Sequence, residues 1–518
     1  MTIRRDLQAL RHEGYRLQSE GRHAEAAARY EQVVAAEPGD WEIWNNLGNA
    51  RRAAGDRAGA VAALSEARDL RAGEPAIHFN LAVALAEAGH AEAADAAFAE
   101  AARLTPDRPQ ALLALGRAFS GLGRYEEAEA AYRRAPGVAD SWFERGQLLE
   151  RGNRLDRLSA LIAEAEQAGF RLPYLDALAL DREGRHGEAL AQAKKMPTAD
   201  DPLRRALLIG RLADKAGDAA GAFAAYTEMN RIAAAAFPGA HAAAGAYRSH
   251  VAALVEMLTP AYVAGWAPIP AGERPAPVFL VGFPRSGTTL LDTLLMGHPD
   301  LHVLEEVPLL ERSAAALGDF SRLPELDAAE TGHLRDLYFA ALGPVPDKIV
   351  VDKLPLNLLG APLIHRLFPE AKFIFAARHP CDVVLSCFMQ DFDINPAMAN
   401  FLDLEDAARL YDLVLAFWHR ACALLPLDVH VLRYEALVAD KEGQLRALVA
   451  FLGLPWNDKV LDNQGNARER GLISTPSYAQ VAEPVYARAS GRWQRYRDQL
   501  AGVLPILAPW AEKMGYDL

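Results

Sequence analysis

The sequence predicts an α-helical solenoid followed by a P-loop-like α/β domain with a central parallel sheet. Three observations lead there. Residues 7–40, 41–74 and 75–108 are three successive segments of 34 residues that carry small and large apolar residues in the same places. A Pro-rich stretch, "APIPAGERPAPV", then interrupts the chain at 267–278. After it come short apolar runs, "VFLVG", "KIVVDK", "KFIFAAR" and "VHVLRYE", separated by helical stretches. Such runs suit parallel strands buried on both faces.

The repeats begin the chain. The eighth position of the three segments is Gly14, Gly48 and Ala82, the twentieth Ala26, Ala60 and Ala94, and the twenty-fourth Tyr30, Leu64 and Phe98. A fourth copy starts at Pro109, with Gly116, Ala128 and Tyr132 in register. Small residues let the two helices of a unit approach closely, and the large one fills the gap. This is the period and pattern of the tetratricopeptide repeat. Less regular copies follow, the last at 202–235, for about seven helix pairs in all. A solenoid of this kind either spaces other parts of a protein or offers a concave groove to a peptide or protein partner.

The predicted division is a solenoid over 1–240, a bridging helix and Pro-rich linker over 241–275, and an α/β domain over 276–518. Each half has its own apolar pattern, so a fragment from 240 onward is expected to keep its ligand site without the solenoid. Net charge is −13, which disfavours general binding to nucleic acid or to an anionic membrane. Cys381, Cys387 and Cys422 lack C-x-x-C spacing, against a disulfide framework or a structural zinc site. The N-terminus carries charges throughout, and no stretch of about 18 uncharged apolar residues occurs. The expectation is a cytoplasmic protein without a membrane span.

The chemistry starts at "VFLVGFPRSGTTLL", residues 278–291. A strand runs into a loop with Gly282 and Gly287 and then into a helix. Glycines let backbone N–H groups close on an anion, and the helix adds its positive end. Thr288 and Thr289 offer hydroxyls. Arg285 offers a planar, permanently charged fork matched to phosphate or sulfate oxygens. An ATPase loop needs Lys where Thr288 stands. The alternative is a Gly-containing turn with no ligand.

"PRSGTT" together with "RHPCDVVLS" (378–386) resembles the two-part signature of sulfotransferases that use 3′-phosphoadenosine-5′-phosphosulfate (PAPS). The resemblance implies that Arg285, Ser286, Gly287, Thr288 and Thr289 grip the 5′-phosphosulfate. It implies that Arg378 and Ser386 grip the 3′-phosphate. Over roughly residues 276–516 the chain is most similar to protein-tyrosine sulfotransferases, through "HPDLHVLEEVP", "DKLPLN", "HRLFPEAKFIF", "FLGLPWND" and "MGYDL". With the solenoid, it resembles bacterial sulfotransferases that carry tetratricopeptide repeats.

That resemblance places the catalytic base at Glu306, with Glu305 as competitor, and puts Lys353 and Arg285 beside the leaving group. It makes Tyr434, Ser477 and Arg492 further contacts to PAPS and Arg312 a substrate contact. PAPS is the implied co-substrate, the acceptor an unidentified hydroxyl, and no metal is needed because two cations supply the charge. A tyrosyl phenol with a pKa of about 10 suits a carboxylate base. The bland roles stay open: a solvated loop acid for Glu306, a salt bridge to Asp352 for Lys353, structural positions for Tyr434, Ser477 and Arg492. His298 and His379 read as structural. The chain departs from the tyrosine enzymes at Pro308 and Gln390, where they carry Arg, which thins the positive charge at the acceptor mouth. Two rival functions remain. A P-loop nucleotide kinase would need the loop lysine and a Mg²⁺-holding acid. A non-enzymatic adaptor would carry a degenerate sulfotransferase fold.

Overall fold

The computed structural model describes residues 2–151, 154–198, 201–463, 465–466 and 490–518. It forms two compact units, residues 1–172 and 173–518.

The first unit is built of helix pairs: Thr2–Ser19 with His23–Ala36, Trp41–Ala53 with Arg57–Leu70, Pro75–Glu87 with Ala91–Leu104, and Pro109–Gly121 with Tyr125–Arg133. A fifth, less regular pair is Ala139–Arg151 with Leu158–Gln167. The small-against-large pairing is literal. A Cβ on Gly14 would lie 2.5 Å from the Tyr30 ring, one on Gly48 2.4 Å from Leu64, and one on Gly116 2.3 Å from Tyr132. The turn inside each pair recurs at the same interval. Gly21, Gly55, Gly89 and Gly123 all have positive φ, between 73° and 86°, the left-handed residue that ends a helix cheaply only when it has no Cβ.

The second unit begins with two more pairs, Pro173–Arg182 with His186–Ala193 and Pro202–Lys215 with Ala219–Ala236, so the described residues hold seven pairs. The bridging helix runs Ala240–Met257, followed by a short helix at Pro260–Ala264. Five strands follow: β1 (Val278–Gly282), β2 (Leu301–Glu305), β3 (Ile349–Lys353), β4 (Lys372–Ala377) and β5 (Asp428–Arg433). They form one all-parallel sheet in the order β2-β3-β1-β4-β5. β1 is central and buried throughout. Its Leu280 packs with Leu290, Leu294 and Ile374 on one side. Its Phe279 meets Tyr338, Phe368 and Phe373 on the other. Four of the strands are the apolar runs read from the sequence. β2 was not legible as one: "LHVLE" is an edge strand, only its first residue is buried, and it lacks a continuous apolar run.

The units divide at 172/173, whereas the sequence pattern divides the chain near 240 and 276. Packing explains the difference. Asn230, on the last repeat helix and buried, donates to the carbonyl oxygens of Phe388 at 2.9 Å and Phe401 at 3.4 Å. Phe223, on the same helix, stacks on Phe388 at 5.0 Å. From the bridging helix, Arg248 reaches Asn400 at 2.6 Å and Asp406 at 2.9 Å. The last helix pair and the bridging helix therefore belong to the packing of the sheet unit. No helix of the described residues is long and apolar enough to cross a membrane.

Candidate active site

The parallel strands carry their loops to one edge of the sheet, where ligands of open α/β folds bind. β1 ends at Gly282, and the loop Phe283–Gly287 leads into the helix Thr288–Leu295. Gly282 must be glycine, since a Cβ there would lie 2.7 Å from both the Ala376 carbonyl and Ser286 Oγ. Gly287 has φ 102°, and a Cβ would press to 2.9 Å on Tyr434. The loop thus closes around space that side chains would fill. Ser286 is buried, and its Oγ has no hydrogen-bond partner among the described residues. Thr288 and Thr289 are buried in the first turn of the helix.

The two sequence motifs meet here. Arg285 donates from Nε to Ser386 Oγ at 3.1 Å, and Arg378 donates to the Arg285 carbonyl at 2.9 Å, across 101 and 93 residues of chain. The Arg378 guanidinium lies 4.8 Å over the Tyr434 ring, a cation–π contact that holds it flat. The Arg285 pKa is lowered to about 10, chiefly by burial and in smaller part by the neighbouring charges of Arg378 and Arg492. Arg285 still keeps its charge at neutral pH. Mutually repelling guanidiniums in a chain of net charge −13 suit a bound anion, which would relieve the repulsion.

Arg285 (φ 70°) and Glu306 (φ 50°) are the two non-glycine residues with positive φ among the described residues. Such backbone costs about 1–3 kcal/mol per residue and collects at functional sites. Glu306 directly follows β2, and its N–H bonds to the Lys353 carbonyl at 2.8 Å. The left-handed turn brings its carboxylate 2.8 Å from Lys353 Nζ, while Glu305, in register with Lys353 across β2 and β3, stands 3.9 Å away.

Lys353 is fully buried and is held from the other side by Asp292 at 3.1 Å, itself fully buried on the loop helix. Asp352 does not take this lysine, contrary to the bland reading. Successive residues of a strand point to opposite faces, so Asp352 turns away and accepts from the Tyr338 hydroxyl at 2.8 Å. Burial pushes its pKa up to about 6.

Arg492 is tied to Asp214 at 3.0 Å. Arg312 stands exposed on the helix Leu310–Leu317, and no contact joins it to the Lys353 cluster among the described residues. Ser477 lies outside the described residues. Both histidines are structural. His298 Nε2 lies 2.8 Å from the Pro455 carbonyl, and its Nδ1 accepts from the Asp300 N–H at 3.2 Å. His379 stacks on Trp493 at 5.0 Å, and its Nε2 lies 3.0 Å from the Asp517 carbonyl. The sequence reading missed Asp292 and Asp382. Asp292 carried a signal: it is the one charge in the apolar helix "TTLLDTLL", and a buried carboxylate needs a cation. Asp382 is buried too and accepts from the N–H groups of Gly491 at 2.7 Å and Trp493 at 2.8 Å.

Comparison with known proteins now adds to this geometry. Residues 277–458 match the "Sulfotransferase family" model. Residues 17–78, 79–137 and 113–169 match tetratricopeptide-repeat models. The chain combines a sulfotransferase-family domain with tetratricopeptide repeats. Protein-tyrosine sulfotransferase 1 of Homo sapiens is 29% identical over 267 residues, 46% of this chain and 69% of that protein. An uncharacterized protein of Aquifex aeolicus is 28% identical over 256 residues, again 46% of this chain but only 33% of the relative's length. Among solved structures, the sulfotransferase domain from the Synechococcus PCC 7002 olefin synthase has 22% identity and a TM-score of 0.35, over 49% of this chain and all of that one.

Proposed function

We propose that the protein transfers the sulfuryl group of PAPS to a hydroxyl acceptor, with Glu306 as base and Lys353 and Arg285 as the cations at the leaving group. The observation that carries this is the meeting of "PRSGTT" and "RHPCDVVLS" through Arg285, Ser386 and Arg378. The residues fit the co-substrate. Ser286 offers an orphan hydroxyl, the loop leaves room that a Cβ would fill, and Arg285, Arg378 and Ser386 converge with an aromatic ring, Tyr434, alongside.

PAPS supplies an activated sulfur whose bond to phosphate oxygen breaks as the acceptor oxygen bonds to it. The protein's residues do the rest. Glu306 takes the acceptor's proton, for which its half-exposed carboxylate is accessible. Lys353 and Arg285 stabilise the negative charge that develops on the departing phosphate. Asp292 holds Lys353 in place when Glu306 turns to the acceptor. Arg378 and Ser386 fix the far phosphate. The named tyrosine sulfotransferases among the relatives favour a phenolic hydroxyl, and the solenoid would recruit a protein that carries it.

Arg378→Ala tests the donor assignment. Losing a charge-assisted bond to phosphate weakens binding of the 3′,5′-bisphosphate product by about 1.5–3 kcal/mol. Calorimetric titration checks it, and unchanged affinity removes Arg378 from the donor site. Glu306→Gln keeps the shape but cannot accept a proton. We expect kcat to fall roughly 10²- to 10⁴-fold with nucleotide affinity retained. If Glu305→Gln does this instead, the base is its neighbour.

A further inference from the structure

We propose that Asp214, on the last repeat pair, is a positioning residue for the donor pocket, holding Arg492 from behind so that its remaining donors face the nucleotide. This rests on the donor reading above. Asp214 lies in the last turn of the helix Pro202–Lys215. An acid is unfavourable there, because the helix dipole is negative at that end. Local helix chemistry therefore does not account for it, but distant partners do. Its carboxylate receives Arg492 at 3.0 Å, Arg495 at 3.1 Å and the Tyr496 hydroxyl at 2.5 Å, and its carbonyl accepts from Arg495 at 3.1 Å. All three partners sit on one short segment, Arg492–Tyr496.

The backbone of that segment is fixed separately. Asp382, four residues after Arg378, binds the N–H groups on either side of residue 492. Arg492 is thus clamped at its backbone by the helix that follows Arg378 and at its guanidinium by the last repeat pair. Its Nε is buried with no partner among the described residues, an orphan donor that a phosphate oxygen would satisfy. Tyr226, from the second helix of the same pair, is fully buried close to the Arg492 charge. A long arginine held this way loses little freedom on binding a ligand.

The test uses the full chain and the 3′,5′-bisphosphate nucleotide as probe. Asp214→Asn and Arg492→Ala should each weaken binding about tenfold. The double variant should be no weaker than Arg492→Ala, because both changes remove one function. Unchanged or tighter binding by Asp214→Asn, with Arg492→Ala weakened, overturns the inference and leaves the donor site standing. Unchanged binding by Arg492→Ala overturns it as well. Hydrogen exchange on the wild-type protein needs no folded variant. Adding nucleotide should slow exchange both in the loop after β1 and in the helix Pro202–Lys215, since linkage is reciprocal. A response in the loop alone defeats the role of Asp214, and no response in either defeats the donor reading itself.

Discussion

Lys353→Ala lowers kcat by roughly 10²- to 10³-fold, the usual cost of removing one preorganised charge from a transition state. It also destabilises the fold. Lys353 and Asp292 are both fully buried and 3.1 Å apart. Breaking a buried pair from one side leaves an uncompensated charge and costs about 3–5 kcal/mol. The two effects separate in the double variant Lys353→Ala, Asp292→Asn. Neutralising Asp292 restores much of the melting temperature, while turnover stays low because the catalytic cation is still missing. A Lys353→Ala enzyme that turns over within a few-fold of wild type, correctly folded, would remove Lys353 from the chemistry. Recovery of turnover in the double variant would make its role purely structural.

The second large effect concerns where the catalytic unit begins. A fragment of residues 173–518 is expected to fold and to bind the bisphosphate nucleotide within about twofold of the full chain, since every proposed donor contact lies inside it. A fragment of 241–518 should be poorly soluble, or at least about tenfold weaker in binding. It loses Asn230 from the Phe388 and Phe401 carbonyls, uncovers Phe388 where Phe223 stacked, and takes away Asp214. Burial of one such aromatic contributes about 1.5–3 kcal/mol, and an orphaned buried carbonyl costs about 1–3 kcal/mol more. Chemical denaturation and nucleotide titration of the two fragments decide it. Equal behaviour would return the boundary to the linker, as the apolar pattern suggested.

The sequence exposed what repeats or alternates and concealed what depends on long-range contact. Repeat positions such as Gly14 and Tyr30 were legible because each pair meets within one helix hairpin. Strands β1 and β4 were legible because both faces are buried, and edge strand β5 through its alternating Val429 and Val431, whereas edge strand β2 was not. Arg285 was legible in the loop, and Arg378 and Ser386 through the resemblance to sulfotransferases, but not that Arg378 would bind the Arg285 carbonyl and stack on Tyr434. Asp292 was passed over because its lysine lies sixty-one positions further along the chain, at 353. The seat of the last helix pair depends on Asn230, Phe223 and Asp214, whose partners all come later in the chain and leave no trace in the periodicity.

The central claim is sulfuryl transfer from PAPS without a metal. The most direct measurement follows label from PAPS marked at sulfur, with the full-length protein, a tyrosine-bearing protein acceptor and a small phenol, in excess chelator. The account predicts that label moves to one of these acceptors in step with release of the 3′,5′-bisphosphate nucleotide, and that chelation leaves the rate unchanged. No transfer from PAPS, with label passing instead from the terminal phosphate of ATP and only in the presence of Mg²⁺, would contradict it.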